Sequence, residues 1–339
     1  MRYAVWNNKG GVGKTFISFV LSTEYAKNNP QKKVIVVDMC PQANLSEAIL
    51  GGNGIGSKNL SNILNNADRK TIGGYFDNRF SSPHQLLGRE TDYILQCNEY
   101  NSKLPENLLL ICGDPSLEIQ AQAINQASSQ TLPVDSWKNL HLWLHDLLQA
   151  CIKKYGNNET VTVFIDCNPS FSAYTELAIL ASERLIIPCT SDGSSARAID
   201  NVFGLVYGVG INKAYEKLNF FAKVKEFGLS IPVINCVLLN RSTQYDKKAS
   251  LAHDAMFNAI KVKVDDYESK YSVYFSTRDH FVDIPDYHSV AIVCSHLGCM
   301  LSDLNPGKKV IHDKEVQINP GPLERYQAAF NQLLSKIEN

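Results

Sequence analysis

Short apolar segments alternate with longer amphipathic ones along almost the whole chain. The short segments are rich in Val and Ile and are bounded by polar residues or Gly. Because continuous apolar runs of this length are typical of strands buried on both faces, they predict parallel β-strands. The predicted strands cover residues 2–6, 33–37, 108–112, 161–165, 184–188 and 233–239.

The longer segments repeat apolar residues at the spacing of an amphipathic helix. One such face follows the first predicted strand, another precedes the strand at 161, and a third follows the strand at 184. The order strand, helix, strand is typical of parallel strands joined by crossover helices. The pattern therefore predicts an α/β fold with a doubly wound, mostly parallel sheet and helices on both faces.

Two segments differ from this alternation. Residues 51–106 are punctuated by glycines and have weak apolar periodicity, which indicates an insertion of short helices and loops. Residues 322–337 form a predicted C-terminal helix with one apolar face and balanced charges, so we expect this face to pack on the domain and not on a membrane. We therefore expect residues 1–339 to form a single domain.

Composition is that of an ordinary globular protein. Of the 339 residues, 44% are hydrophobic and 20% are charged, and the formal net charge is −1; these values exclude the disordered and fibrous classes. No apolar run approaches the roughly 18 residues of a membrane span, and the first residues do not resemble a signal peptide. The nine cysteines are scattered and include no C-x-x-C pair, which indicates reduced, buried thiols in the cytoplasm.

A glycine-rich loop joins the first predicted strand to the first predicted helix. Its sequence is Asn8-Lys9-Gly10-Gly11-Val12-Gly13-Lys14-Thr15. Glycines let backbone N–H groups surround phosphate oxygens, and a helix N-terminus adds partial positive charge. At this spacing Lys14 would reach the β- and γ-phosphates, and the Thr15 hydroxyl would ligate Mg²⁺. The loop therefore predicts a P-loop site for ATP or ADP with Mg²⁺, and the insertion at 51–106 is expected beside it.

The same loop resembles the deviant Walker A motif of the ParA/MinD family of ATPases. Two further segments agree with that family in order and spacing: residues 34–44 resemble its second acidic motif, and residues 164–170 resemble its Walker B strand end. The resemblance covers most of the chain and is weakest over residues 51–106. It implies a P-loop NTPase that forms a nucleotide-sandwich dimer. Because the first predicted strand begins at residue 2, we expect no helix-turn-helix ahead of it.

The resemblance also implies roles for individual residues. Lys9 is expected to reach the phosphates of the partner subunit, so that ATP binding and dimerisation are linked, and to act in catalysis with Lys14 and Asp38. Asp38 and Asp166 end predicted strands and, with Thr15, are expected to hold the Mg²⁺. The expected nucleotide contacts, with Asn240 beside adenine, are Lys9, Gly10, Gly11, Gly13, Lys14, Thr15, Phe16 and Asn240.

Cys40 stands where the family usually has a second aspartate, which is taken to activate the attacking water. A neutral thiol cannot accept a proton as a carboxylate can. We therefore expect slow hydrolysis and a long-lived dimer. The alternative is that another residue, such as Asp192, takes over this role.

Positive charge is concentrated in residues 205–264. This segment has nine Lys and Arg against four acidic residues, a net charge of +5, and the rest of the chain carries −6. Several cations on one face would fit binding to the phosphate backbone of DNA without sequence preference, with Lys247 and Lys248 as candidates. A solvated helix surface explains the same charges equally well.

Together these features predict an ATP-dependent dimeric switch of ParA type. It would bind DNA non-specifically and segregate or position a plasmid, a chromosome region or a protein cargo. The expected partners are a second copy of the chain, DNA and a ParB-like or cargo-adaptor protein, in the cytoplasm or on the nucleoid and without a membrane. The alternative is an ATP-gated regulatory or scaffold protein that recruits a protein partner with little turnover.

Overall fold

An eight-stranded sheet forms the centre of the protein. The computed structural model describes residues 1–130, 133–192, 194–242, 247–276 and 279–337, and within these it gives the backbone alone for 241–242, 247–254 and 288. The strands of the described residues are β1 (Arg2–Val5), β2 (Lys33–Met39), β3 (Leu95–Gln96), β4 (Leu108–Ile111), β5 (Val161–Cys167), β6 (Arg184–Thr190), β7 (Val233–Ser242), β8 (Phe281–Pro285), β9 (Gly307–Ile311) and β10 (Lys314–Ile318).

The order of the strands shows how the sheet is wound. The eight strands lie in the order β3–β4–β2–β5–β1–β6–β7–β8. Neighbouring strands are parallel except at the edge, where β3 pairs antiparallel with β4. The strands β9 and β10 form a separate antiparallel hairpin. The prediction of a doubly wound, mostly parallel sheet is confirmed.

Helices connect the strands and cover both faces of the sheet. In the described residues they are α1 (Lys14–Asn28), α2 (Asn44–Ile49), α3 (Ile55–Leu64), α4 (Ile72–Ser81), α5 (Cys97–Tyr100), α6 (Leu117–Ser128), α7 (Ser136–His141), α8 (Trp143–Tyr155), α9 (Ala173–Ala181), α10 (Ser195–Tyr207), α11 (Phe220–Glu226), α12 (Lys247–Tyr271), α13 (His288–Leu297) and α14 (Pro320–Ser335). Short 3₁₀ helices occur at Glu90–Tyr93, Lys213–Tyr215, Ser272–Tyr274 and Leu301–Asp303.

The central strand β2 shows why the apolar runs are continuous. Val34 and Val36 belong to the core on the side of α1 and α14. Ile35 and Val37 belong to the core on the opposite side, with α8 and α9. All four side chains are fully buried. Because successive side chains of a strand point to opposite faces, a strand covered on both faces needs apolar residues at every position.

Residues 51–106 contain α3, α4, α5, a 3₁₀ helix and the edge strand β3. Ile72, Tyr75 and Phe76 of α4 are buried in the core that lies on the side of α8. β3 extends the sheet by pairing with β4 through Leu95 and Gln96. The segment is therefore continuous with the sheet and its core.

Three strands of five residues each, β8, β9 and β10, were not predicted, for local reasons. In β8 only Val282 and Ile284 are buried and Asp283 is exposed, so this edge strand lacks a continuous apolar run. The hairpin β9–β10 turns at His312 and Asp313, which both have positive φ, 45° and 62°. A two-residue turn of this kind usually contains Gly, which is the signal that identifies it in a sequence.

The C-terminal helix α14 begins at Pro320, two residues before the predicted start. Proline is tolerated in the first turn of a helix because the N–H that it lacks has no partner there. Leu323, Tyr326 and Phe330 of this helix are buried. They belong to the same core as the residues of α1.

Within the described part of the chain, no helix has both the length and the apolarity needed to cross a membrane.

Candidate functional site

The sequence predicts the phosphate loop at residues 8–15; in the structure the loop covers residues 6–13, at the carboxyl ends of the central strands, and residues 14–15 begin α1. The loop follows β1 and leads directly into α1. β1 pairs with β5 on one side and with β6 on the other, and β5 pairs with β2. Since the carboxyl ends of parallel strands meet at one edge of a sheet, the loops that follow these four strands lie next to one another.

Gly13 has a backbone that only glycine tolerates at this position. Its φ is +90°, and a Cβ atom would lie 2.4 Å from Nδ2 of Asn240. That Nδ2 donates a hydrogen bond to the carbonyl oxygen of Val12 at 2.8 Å, and the Asn240 side chain is buried. Asn240, near the end of β7, therefore stabilises the phosphate loop through its hydrogen bond to Val12. Its expected contact with adenine stays a prediction.

Lys14 is buried at the start of α1. Its Nζ donates to the carbonyl oxygens of Lys9 at 2.7 Å and of Asn7 at 3.0 Å. Burial lowers the pKa of this ammonium group, and the nearby Asp166 carboxylate partly opposes the effect. The ammonium group of Lys14 thus lies at a helix N-terminus that follows a glycine-rich loop, and this arrangement suits the binding of phosphate.

Two fully buried carboxylates lie side by side behind Thr15. Asp38 on β2 and Asp166 on β5 are register partners. Asp166 accepts hydrogen bonds from Thr15 Oγ1 at 2.8 Å and from Ser18 Oγ at 2.9 Å. Asp38 accepts hydrogen bonds from the backbone N–H and the hydroxyl of Ser46, at 2.9 and 2.8 Å. The three predicted metal ligands, Thr15, Asp38 and Asp166, are therefore neighbours.

The electrostatics of this pair fit a divalent cation. Burial raises the pKa of both carboxyl groups, and for Asp166 the adjacent charge of Asp38 raises it further. A bound cation would compensate two charges that otherwise repel each other in a poorly solvated place. The donor set consists of two carboxylates and the hydroxyl of Thr15, the hard oxygen ligands that Mg²⁺ prefers.

Lys9 is turned toward its own subunit. Its Nζ forms an ion pair with Asp192 and lies 3.0 Å from Thr190 Oγ1 and 3.4 Å from Ser195 Oγ. Partial burial raises the pKa of Asp192, but hydrogen bonds from Lys9, Ser194 and Thr190 outweigh it and hold the pKa well below its usual value. A carboxylate with such a low pKa is a poor proton acceptor. This counts against Asp192 as the residue that replaces the missing aspartate.

Cys40 follows β2 and is a neutral thiol. Burial raises its pKa well above the usual value, and the negative charges of Asp38 and Asp166 add to the effect. Its Sγ accepts a hydrogen bond from Nδ2 of Asn168 at 3.6 Å. All nine cysteines of the chain are free. The position next to the two carboxylates therefore lacks the base that an aspartate would provide.

A cavity of about 670 Å³ opens in front of the loop, a volume typical of small-molecule sites. Gly10, Gly11, Gly13, Lys14, Thr15 and Phe16 line it, whereas Lys9 and Asn240 do not. The rest of the lining comes from α2 with its preceding loop, from the insertion, from α13 and from the end of β5 with the loop that follows it. These lining residues are Cys40, Gln42, Asn44, Glu47, Ala48, Asn53, Cys167, Pro169, Ala291, Ile292, Ser295 and His296.

Sequence reasoning did not identify two serines of this site. Ser18 lies one turn after Lys14 on α1, and Ser46 lies in the first turn of α2; both are fully buried. Each donates a hydrogen bond to one of the paired carboxylates. The available signal was a serine close behind each of the two predicted motifs, beside the apolar residues Ile17 and Leu45.

The basic segment is only partly described. Lys213, Lys217 and Lys225 are exposed, whereas Lys223 pairs with Glu226 and Lys263 pairs with Asp200. The side chains of Arg241, Lys247 and Lys248 lie outside the described residues, and with them the two candidate DNA contacts, Lys247 and Lys248.

Comparison with known proteins identifies similar chains. A family model described as an AAA domain matches residues 2–211, more than half of the chain. No curated protein sequence matches significantly. Among solved structures, an ATP complex of a McdA variant from Cyanothece has a TM-score of 0.61 at 15% identity, covering 98% of this chain and 95% of that one. A plasmid partition protein from Borrelia burgdorferi bound to AMPPNP has a TM-score of 0.55 at 18% identity, covering 99% and 98%. At these identities the likeness establishes a shared fold.

Proposed function

The chain belongs to the ParA/MinD-like family of P-loop ATPases, and on this premise we propose that it is an ATP-dependent dimeric switch. The main support is the arrangement at the carboxyl ends of the central strands. There Lys14 and Thr15 lie at the start of a helix, and the buried pair Asp38 and Asp166 lies directly behind Thr15. This combination of an anion site with a divalent-cation site suits a magnesium–nucleotide complex.

In this proposal the cavity holds ATP or ADP. Lys14 and the backbone of Gly10, Gly11 and Gly13 bind the phosphates, and Phe16 borders the cavity. Thr15, Asp38 and Asp166 hold Mg²⁺, which when bound neutralises and polarises phosphate oxygens. The two nucleotide-bound neighbours from Cyanothece and Borrelia burgdorferi, bound to ATP and AMPPNP respectively, support a nucleotide at this fold's site.

Dimerisation would complete the site through Lys9. A second cation supplied by a partner subunit stabilises phosphate charge only when two subunits meet, so ATP occupancy and assembly become linked. The switch would bind DNA without sequence preference and, with a ParB-like or cargo-adaptor protein, would segregate or position a plasmid, a chromosome region or a protein cargo. It would act in the cytoplasm, on the nucleoid.

The central test is the oligomeric state as a function of nucleotide. With Mg²⁺ and ATP we expect a dimer in size-exclusion chromatography with light scattering, and with ADP or no nucleotide a monomer. Lys9→Ala is expected to remain monomeric with ATP although it still binds the nucleotide, because Lys14 is unchanged.

The matched control is Lys154→Ala, an exposed lysine near the end of α8, which is expected to dimerise like wild type. A wild-type protein that stays monomeric with ATP, or that is dimeric in every nucleotide state, would contradict the proposed switch.

A second expectation concerns DNA. In the ATP state, binding to a random duplex is expected to weaken by at least about tenfold between 50 and 200 mM salt, because several phosphate contacts release counterions. Lys247→Glu/Lys248→Glu is expected to weaken it similarly, whereas the control Lys308→Glu/Lys309→Glu on β9 is not. Fluorescence anisotropy measures both.

One observation favours the second candidate function, an ATP-gated regulatory or scaffold protein with little turnover. Cys40 leaves the site with a neutral thiol next to the paired carboxylates. If the dimer forms with ATP but does not bind duplex DNA at any salt concentration, the scaffold function becomes the better explanation.

A further inference from the structure

The loop between β6 and α10 carries a carboxylate that contacts the phosphate loop. β6 is the neighbour of β1 in the sheet, so the loops that follow the two strands lie side by side. Asp192 in the first loop forms an ion pair with Lys9 in the second. Thr190 and Ser195 contribute two more oxygens around the same ammonium group, at 3.0 and 3.4 Å.

We infer that Asp192 is a positioning residue, which retains Lys9 inside its own subunit until the ATP-loaded dimer forms. The inference rests on the proposed function, because it concerns the lysine that is proposed to contact the phosphates of the partner subunit. In the free subunit the ammonium group of Lys9 is engaged with Asp192, and dimerisation requires that this contact be given up.

The carboxylate is held in place by its own loop. Oδ1 of Asp192 accepts hydrogen bonds from the N–H of Ser194 at 3.0 Å and from the hydroxyl of Ser194 at 2.6 Å. Oδ2 accepts a hydrogen bond from Thr190 Oγ1 at 2.8 Å. The receiving group is therefore oriented by contacts that do not involve Lys9.

The lysine is held in place from the other side. The backbone N–H of Lys9 donates to Oδ1 of Asn7 at 3.0 Å, and Nδ2 of Asn7 donates to the carbonyl oxygen of Pro188 on β6 at 2.7 Å. Asn7 thus connects the phosphate loop to the strand that precedes Asp192. Both partners of the ion pair are positioned by the same two adjacent strands.

The exposure of the pair makes the contact reversible. The side chain of Lys9 is 24% exposed and that of Asp192 is 46% exposed. A partly exposed ion pair of this kind favours the arrangement in which Lys9 contacts Asp192 by up to about fivefold. Because two subunits each give up one contact, the equilibrium for dimerisation changes by the square of this factor, up to about twenty-five-fold.

Asp192→Asn tests the inference, because the amide still accepts hydrogen bonds from Ser194 but carries no charge. In the nucleotide-free monomer, reductive methylation with formaldehyde and a borohydride, followed by mass spectrometry, is expected to label Lys9 about twofold to fivefold faster than in wild type. With Mg²⁺ and ATP, analytical ultracentrifugation is expected to show a dissociation constant of the dimer lowered by about fivefold to twenty-five-fold.

Asp200→Asn is the matched control, since Asp200 lies on α10 and pairs with Lys263. It is expected to change the labelling of Lys263 and to leave that of Lys9 and the dimerisation as in wild type. Unchanged labelling of Lys9 in Asp192→Asn, or an unchanged or weaker dimer, would overturn the inference. A wild-type protein that never dimerises with ATP would instead contradict the proposed function. The labelling of Lys9 in the nucleotide-free monomer would still show whether Asp192 retains the lysine.

Discussion

Lys14→Gln is expected to weaken the binding of Mg²⁺–ATP by at least about a hundredfold. The ammonium group is the buried cation of the phosphate loop, and a hydrogen bond to a charged group contributes about 1.5–3 kcal/mol. Loss of the charge and of contacts to two phosphates therefore costs about 3 kcal/mol or more, which is two factors of ten in the dissociation constant. Isothermal titration calorimetry measures the affinity directly.

The same substitution is expected to leave the free protein as stable as wild type or more stable. Burial lowers the pKa of Lys14 in the folded protein. A lysine whose pKa is lowered in the folded state disfavours folding while it is charged; this cost is largest at pH values below the lowered pKa and disappears as the pH rises to the usual pKa. Thermal unfolding without nucleotide tests this. A fall in Tm would indicate that the loss of affinity comes from damage to the fold.

Lys27→Gln is the matched control. Lys27 lies at the other end of α1, where it pairs with Asp303 on the surface. It is expected to bind Mg²⁺–ATP with the affinity of wild type. Equal affinity in Lys14→Gln and wild type would mean that the loop is not the phosphate site.

The sequence predicts the centre of the fold well because the physical constraint there is local. β2 and β5 are buried on both faces, so nearly every position of their central parts is apolar until the chain reaches the polar end of the sheet, with Thr162 as the exception in β5. The motifs that follow the central strands have fixed spacing, and the residues of the phosphate loop are consecutive in the chain. Residues 8–15 therefore contain enough information to predict the loop and the helix start, and the phosphate ligand stays a prediction.

The contacts that support the loop could not be predicted from the sequence. Asn240 and Val12 are 228 positions apart, and Lys9 and Asp192 are 183 positions apart. Both contacts depend on the placement of β6 next to β1 and of β7 next to β6 in the sheet, and hydrophobic periodicity predicts the existence of strands but not their order. The amide of Asn240 and the carboxylate of Asp192 became interpretable only when the strand order was known.

Cys40→Asp is expected to raise the steady-state rate of ATP hydrolysis by about a hundredfold or more. General-base assistance typically contributes about 10²–10⁴-fold, and the thiol supplies none, because burial and the charges of Asp38 and Asp166 raise its pKa well above the usual value. Nδ2 of Asn168, which now donates to the Cys40 sulfur, could donate to the new carboxylate instead. A coupled assay of phosphate release, at saturating Mg²⁺–ATP, measures the rate.

Cys40→Ser separates the effect of charge from that of a changed side chain. A hydroxyl is neutral and close to a thiol in size, so this variant is expected to hydrolyse ATP as slowly as wild type. Cys40→Asp should also lower Tm in the absence of nucleotide, since a third carboxylate would join two buried ones, and Mg²⁺–ATP should restore it because the added cation compensates the charge. If wild type and Cys40→Ser already turn over as fast as Cys40→Asp, the attacking water is activated elsewhere, and the dimer is a rapidly cycling ATPase instead of a long-lived switch.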